Sequence, residues 1–516
     1  MNRTLILTLK LLVGLFVLAV LVFTAGVLKD FPLPQTQPVS GPLLIEDITL
    51  VDVRDGVLLP GQDVLIEQGV IEAMGEDLQA PDARIVAGQG RYLVPGLFDM
   101  HVHSIKLSPV LTHPLFIAAG VTAVRDMGGC LGEDDAWVAC AEEKRAWNSA
   151  VQAQQMVGPR FDQVTSLAIN GGQEIPGHRD IALGAGDATG ARLRVQLDRS
   201  RGIDFLKPYT RLPRESYFAL AEAAHNEGMY LAGHKPLAVS GLEAVAAGQR
   251  SIEHAFLFIW ECYPGMSDLR QSDNPRAVYT DELRRKMLAE HDPALCDELH
   301  SAMREAGAAL TPTHTTRKLD AFATDERYLN DPRTQYIAGP LAWIWRDDAA
   351  GMASRAGTGG QESYRAFYRF GIEQTGRAHA AGVQILAGTD APDSYAFPGS
   401  GLHDELEHLV EGGLSPMDAL RAATIEPARF LGLEGEAGEI VVGARADLVL
   451  LNENPLEDIA AVRSVDAVML AGALYERSDL DALLAGVEEA AGHWSMWPKF
   501  TWQMLTSPIM RRQLID

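Results

Sequence analysis

The stretch LVPGLFDMHVHS, residues 93–104, decides how this chain is read. An apolar run ends in His101 and His103, and alternation along a strand puts residues i and i+2 on one face, so both imidazoles can reach one point. The pair alone is weak evidence, because a lone polar residue often closes a buried strand. Its meaning depends on what the rest of the chain sets beside it.

Similar apolar runs recur at VTAVRDMG (121–128), FDQVTSLAI (161–169), GIDFLKPY (202–209), MYLAGHKP (229–236), RSIEHAF (250–256), AALTPTHT (308–315) and VQILAGTDAP (383–392). Helical patterns such as SYFALAEAAHNEG and DELRRKMLAEH separate several of them. Eight strands alternating with helices predict a parallel sheet, and eight is the number that closes a (β/α)8 TIM barrel, here over residues 93–435. A doubly wound open sheet is the alternative. The intervals before the seventh and eighth strands are long, each about 50 residues or more; long βα loops lie at the catalytic face of a barrel, so these are expected to form a pocket wall or lid.

Outside the barrel, residues 43–92 and 436–475 both alternate apolar and polar positions between turn signals. They predict one small β-sandwich domain assembled from both flanks. FPLPQTQPVSGP (31–42) reads as an extended linker, and residues 476–516 as a helical, aromatic tail with Trp494, Trp497 and Trp502 close together. That tail suits either packing against the body or a rest on a bilayer.

Residues 11–28 carry no charge and are long enough to span a membrane. Arg3 and Lys10 precede them, which predicts an N-terminus in the cytoplasm and a body outside it. Residues 1–30 are therefore expected to be an uncleaved transmembrane anchor, and the catalytic part periplasmic or extracellular. A cleavable signal is the rival, with Thr24-Ala25-Gly26 as small residues at the cleavage positions, and would give a secreted protein. A buried soluble helix is the third reading. Cys130 with Cys140, and Cys262 with Cys296, permit two local disulfides in such a compartment, although four cysteines allow three pairings and can also serve as small hydrophobes. The net charge of −25, from 69 acidic against 44 basic side chains, repels phosphate backbones and argues against nucleic acid as a partner.

Ionisable residues recur where barrel chemistry needs them. His101 and His103 close the first strand, Lys207 lies in the fourth, His234 closes the fifth, His254 the sixth and Asp390 the eighth. Each has a plain structural reading, Asp390 as a helix cap for example. Independent accidents would not all fall at strand C-termini. Imidazole and carboxylate without cysteine suit a catalytic zinc, manganese or iron site.

In these motifs, and in the segment GLHDELEHLVEGGLSPMDALRAATIEPARFLGLEGEAGEIVVGARADLVLLNENPLEDI, the chain resembles the amidohydrolase superfamily, near its imidazolonepropionase-like and Xaa-Pro dipeptidase-type members. The likeness runs from about residue 43 to 475 and implies a barrel with a β-sandwich built from both flanks. It implies that His101 and His103, with Asp390, bind one divalent ion, and His234 and His254 a second, zinc being the expected metal. Lys207 falls at the position that carries a CO2-derived carbamate bridging both ions. The implied activity is hydrolysis of a non-cyclic amide or peptide bond of a small molecule, as in a dipeptidase or an N-acyl amino acid amidase, by a water shared between the ions, with Asp390 moving its proton. Hydrolysis of a cyclic amide or a lactone is the alternative, and a noncatalytic cell-surface binding protein the alternative of another class. Tyr209, His178 and His314 are candidates for substrate contact. Pro208 after the lysine and Lys235 after His234 depart from many dipeptidase relatives, which weakens the dipeptide assignment more than the metal site. These motifs leave the oligomeric state open.

Overall fold

A computed structural model describes residues 3–34, 36–130, 135–171, 185–271, 280–356 and 361–513. Eight parallel strand segments form a closed ring. Leu97–Val102 pairs with Val121–Asp126, which bridges to the third segment at Ala123–Arg160 and Asp126–Val164. Thr165 bridges to Phe205; then Phe205–Leu206, Tyr230–Gly233, Gln249–Glu253 and Ala309–Thr311 pair in order. Leu310 bridges to Ile385, and Ala391 returns to Val102. The ring matches the eight apolar runs, and the reason is burial on both faces: every residue of Leu97–Val102 and of Val121–Asp126 is buried, so each strand reads as a nearly continuous apolar run.

The strands of both flanks join one curled nine-stranded sheet. Tyr92–Pro95 sits between Leu448–Leu451 and Leu43–Asp52 in it. From Pro95 the chain passes through Gly96 straight into the first barrel strand. A Cβ at Gly96 would overlap the Thr122 side chain, approaching its Cγ2 to 2.7 Å, so only glycine lets the sheet enter the ring there. The end of the expected linker also enters the sheet: Val39 and Ser40 pair with Leu474 and Ala473 at its edge. Backbone donors of an edge strand recruit any extended segment that passes, which composition alone does not show.

Arg3–Leu28 is one helix, apolar and exposed over nearly its whole length, and long enough to cross a membrane; a signal sequence has the same character. The long intervals before the seventh and eighth strands fold into helices, among them Asp281–Glu290, Pro293–Ala306, Gly339–Arg355 and Glu362–Ala380. Thr280 and Asp292 cap the first two through their side chains, accepting from Leu283 N and Ala294 N.

Both local cysteine pairs are bonded, Cys130 to Cys140 and Cys262 to Cys296. Their separations of 10 and 34 residues set the chain entropy each removes from the unfolded state, about 3 and about 4 kcal/mol. Removing the pair Cys262/Cys296 is therefore expected to lower unfolding free energy about 1 kcal/mol more than removing Cys130/Cys140. Urea unfolding of the two double-alanine variants tests the order; equal midpoints would contradict it.

Candidate active site

The C-terminal ends of the ring strands converge on one buried cluster. His101 and His103 project together, as strand alternation requires, and their Nε2 atoms lie 3.3 and 2.9 Å from the same oxygen, Asp390 Oδ1. Asp390 Oδ2 is 3.8 Å from His254 Nδ1. His254 Nε2 in turn lies 3.0 Å from His234 Nε2. His101, His103 and Asp390 present ligand atoms close enough together to hold one ion. Their placement strains the backbone: His254 and Asp390 adopt φ of 71° and 66°, a left-handed conformation costly for any residue with a Cβ. Beside Asp390, Gly388 must lack a side chain, because a Cβ would stand 2.6 Å from Thr311 Cγ2 and 2.9 Å from His101 N.

Electrostatics suit ligation. Burial lowers His254 to about 3 and His234 well below the ordinary imidazole range, the latter reinforced by His254, so both rings are neutral with lone pairs to offer. Burial opposes ionisation of Asp390, but His101, His103 and His254 around it hold the carboxyl well below its usual range. His101 donates from Nδ1 to Glu253 Oε2 at 2.9 Å, which leaves its Nε2 lone pair facing inward. That atom is fully buried and, among the described residues, has no hydrogen-bond partner.

Lys207 is buried in the same cluster, where its Nζ donates to Met127 O at 3.1 Å. Among the described residues no carboxylate stands within ion-pairing distance of it, unlike Lys144, which reaches Asp126 at 2.7 Å, or Lys235, which reaches Glu261 at 3.1 Å. Burial accordingly lowers the Lys207 ammonium from its ordinary value. Lys235, although next to His234, turns away to Glu261 and to Val239 O and leaves the cluster unchanged.

Of the three candidates for substrate contact, Tyr209 faces the cluster, its ring centroid 4.1 Å from that of His234. His314 does not. It opens the helix His314–Phe322, is buried, and places Nε2 3.1 Å from Thr375 Oγ1; burial lowers it to about 4. His178 lies outside the described residues. A cavity of about 960 Å³ stands over the cluster, lined by Tyr209, His234, Phe256, Trp260, Arg317 and Asp393 and walled by residues of the long intervals, including Arg284, Asp347 and Arg355.

Sequence reasoning passed over the supports beneath the histidines. Arg125, buried in the second strand, donates through Nη2 to Glu253 Oε1 and Oε2 at 2.8 and 2.9 Å and through Nε to Met100 O at 2.7 Å. Glu253 is held at about 2 against its burial by Arg125 and His101, so it stays an anion that fixes the His101 tautomer. The hydroxyls of Thr210 and Thr313 lie 2.7 and 2.6 Å from Nδ1 of His234 and His254 and hold the orientation of those rings. The signal was present: Glu253 immediately precedes His254, and a charge inside a buried strand requires a partner. Glu253→Gln is expected to weaken metal binding 10- to 100-fold, roughly the usual effect of removing an outer partner of a ligand histidine. Competition titration with a chromophoric chelator measures it; unchanged affinity would show that Glu253 serves packing alone.

With this geometry in view, comparison with known proteins decides the family. The amidohydrolase family model matches residues 206–474. The chain belongs to the amidohydrolase family. Ochratoxinase from Aspergillus niger is 22% identical over 504 residues, covering 83% of this chain and 87% of its own length. Among solved structures, bottromycin amidohydrolase superposes with a TM-score of 0.66 at 23% identity, over 91% of this chain and 94% of that one. A Xaa-Pro dipeptidase with bound methionine gives 0.60 at 20% identity, over 84% and 100%. These likenesses show the barrel fold. This amidohydrolase is an enzyme, a hydrolase of carbon–nitrogen bonds, and its family generally uses divalent metals, for which the His-His-Asp cluster is the matching feature here.

Proposed function

We propose that this amidohydrolase is a binuclear metalloenzyme that cleaves non-cyclic amide bonds, as a dipeptidase or an N-acyl amino acid amidase, held outside the cytoplasm by its N-terminal helix. In this reading residues 93–435 are the hydrolase domain and the flanking strands its support. One observation carries it: the wholly buried His101 Nε2 has no hydrogen-bond partner among the described residues and shares Asp390 Oδ1 with His103, the arrangement of ligands waiting on one cation. Neutral imidazoles, an ionised carboxylate and a buried amine without a carboxylate partner among the described residues fit divalent metals chemically.

His101, His103 and Asp390 would hold one ion, His234 and His254 the second. Lys207 Nζ, favoured in its neutral form by burial, would add to the carbon of CO2, lose a proton and so supply an anionic carbamate as a further oxygen ligand. Bound there, two divalent ions supply a water that ionises near neutral pH and a Lewis acid for the scissile carbonyl. Asp390 takes the proton of the attacking water and hands it to the departing amine nitrogen, so that a carboxylate and an amine leave. Tyr209, on the cavity wall beside His234, hydrogen-bonds the substrate. Phe256 and Trp260 accept an apolar acyl or side-chain group, and Arg317, whose guanidinium stands 5.6 Å over the Phe256 ring, favours a carboxylate at the far end.

Metal content per chain, with turnover of dipeptides, N-acyl amino acids and lactones before and after a chelator, tests the proposal. Two equivalents of metal and chelator-sensitive amide hydrolysis are expected. A fully active chain without metal would overturn it.

A further inference from the structure

The chain beyond Glu476 takes no part in the chemistry above, yet it exposes a cluster of large apolar side chains. The helix Met496–Thr506 buries Met496 and Phe500, the latter edge-on to Trp137 at 5.2 Å. Its outer face, with Trp494 two positions before it, leaves Trp494, Trp497, Trp502 and Leu505 exposed by 51, 49, 49 and 56%. At 3.6 residues per turn, Trp497, Trp502 and Leu505 fall within an arc of roughly 140° on the side opposite the buried Met496 and Phe500, so they share the outward side of the helix. Three indoles on one exposed face are costly in water. The same face is almost without charge: from Trp494 to Ser507 the only ionisable side chain is Lys499, and its Nζ is turned inward to Val27 O at 2.7 Å. Trp343, 60% exposed, extends the patch, since Gly339 one turn before it lies against the Trp497 indole, 3.2 Å from an added Cβ to Nε1.

A second observation says what covers this face. The apolar helix Arg3–Leu28 meets the tail at its last turn. Gly26 is buried there; a Cβ on it would overlap Pro498 and lie 3.0 Å from Trp494 Cζ3. Just beyond the helix, Phe31 packs edge-on against His493 at 5.4 Å. The end of the span and the tryptophan face are therefore one continuous apolar surface.

We propose that this face is an interfacial membrane contact, with Trp494, Trp497 and Trp502 at the headgroup level of the same bilayer that the N-terminal helix crosses. The inference rests on reading that helix as an uncleaved anchor. Indoles prefer this depth because the ring is apolar and its N–H seeks a polar partner. A helix apolar on one side lies in the plane of the interface. One span sets where the body is tethered but not which side faces the lipid; the second contact does. Helix Gly339–Arg355 carries Trp343 on the patch and Asp347, Asp348 and Arg355 on the cavity wall. At a rise of 1.5 Å per residue, Trp343 and Asp347 are about 6 Å apart along its axis, so the bilayer surface is held beside the cavity.

The full chain reconstituted in phosphatidylcholine–phosphatidylglycerol vesicles, with and without lipid brominated near the top of the acyl chain, tests this. The N-terminal helix has no tryptophan, so emission reports on the body alone. Three indoles of the eight at the interface should cost roughly a third of the emission in brominated vesicles. The quenching should be largely lost in Trp494→Gln/Trp497→Gln/Trp502→Gln while the protein still resists alkaline extraction. Single Trp497→Phe and Trp502→Phe variants, each expected to remove its own share, cover the case in which the triple variant does not fold. Equal emission in both lipids from a chain that resists extraction would leave the anchor standing and overturn the tail contact. Unquenched tryptophans together with dimers cross-linked through this face would assign it to a second copy and overturn it as well. Release at alkaline pH of a chain starting beyond Gly26 would overturn the anchor reading, and the proposal with it.

Discussion

Asp390→Asn is expected to lower kcat by about 10³-fold or more while leaving the barrel folded. The carboxylate has two duties that an amide cannot perform. It is the anion among three imidazoles, 2.9 Å from His103, 3.3 Å from His101 and 3.8 Å from His254, and in the proposed mechanism it is the group that takes a proton from water. Asparagine keeps the shape, the backbone bond from residue 390 N to His101 O and the packing, so stability should change little. A general base alone contributes roughly 10²- to 10⁴-fold, and weaker ion binding adds to it. Steady-state kinetics in saturating metal separates the two: a loss that excess metal restores belongs to ligation, and the remainder to proton transfer. Full activity in the variant would sink the assignment.

Lys207→Ala should show a comparably large loss, together with loss of bound metal. The lysine is buried without a carboxylate partner among the described residues, a situation that costs several kcal/mol unless the charge is removed or inverted. Conversion to a carbamate does both. Short carboxylic acids such as acetate or propionate should enter the space left by the alanine variant and restore part of the metal content and turnover. Lys207→Arg, permanently cationic, should bind no metal and gain nothing from them. Full metal occupancy in Lys207→Ala, with no rescue, would count against a bridging carbamate.

How the sequence carries this site is clear from particular residues. Alternation within one strand is enough to aim His101 and His103 together, and the β–α period is enough to put His234, His254 and Asp390 at equivalent strand ends. The placement of His314 is just as local. TPTHTT looks like another strand end, but Thr313 adopts a φ of 47°, the chain turns, and His314 becomes the first residue of a helix facing Thr375. A non-glycine residue in that conformation is rare enough that no residue pattern announces it.

The amino-acid sequence by itself determined the eight apolar runs, the helical stretches between several of them, the apolar N-terminal segment and the list of side chains at the ends of the runs, because each follows from short-range periodicity. Tertiary structure alone decided what stands behind and around them. The chain Arg125–Glu253–His101 joins strands more than a hundred residues apart, Val39 is drawn into the edge of a sheet beside Leu474, and Gly26 meets Pro498 across nearly the whole length of the chain. Such pairings depend on how the ring closes and on which surfaces it leaves to be covered, and neither is a property of any local run of residues.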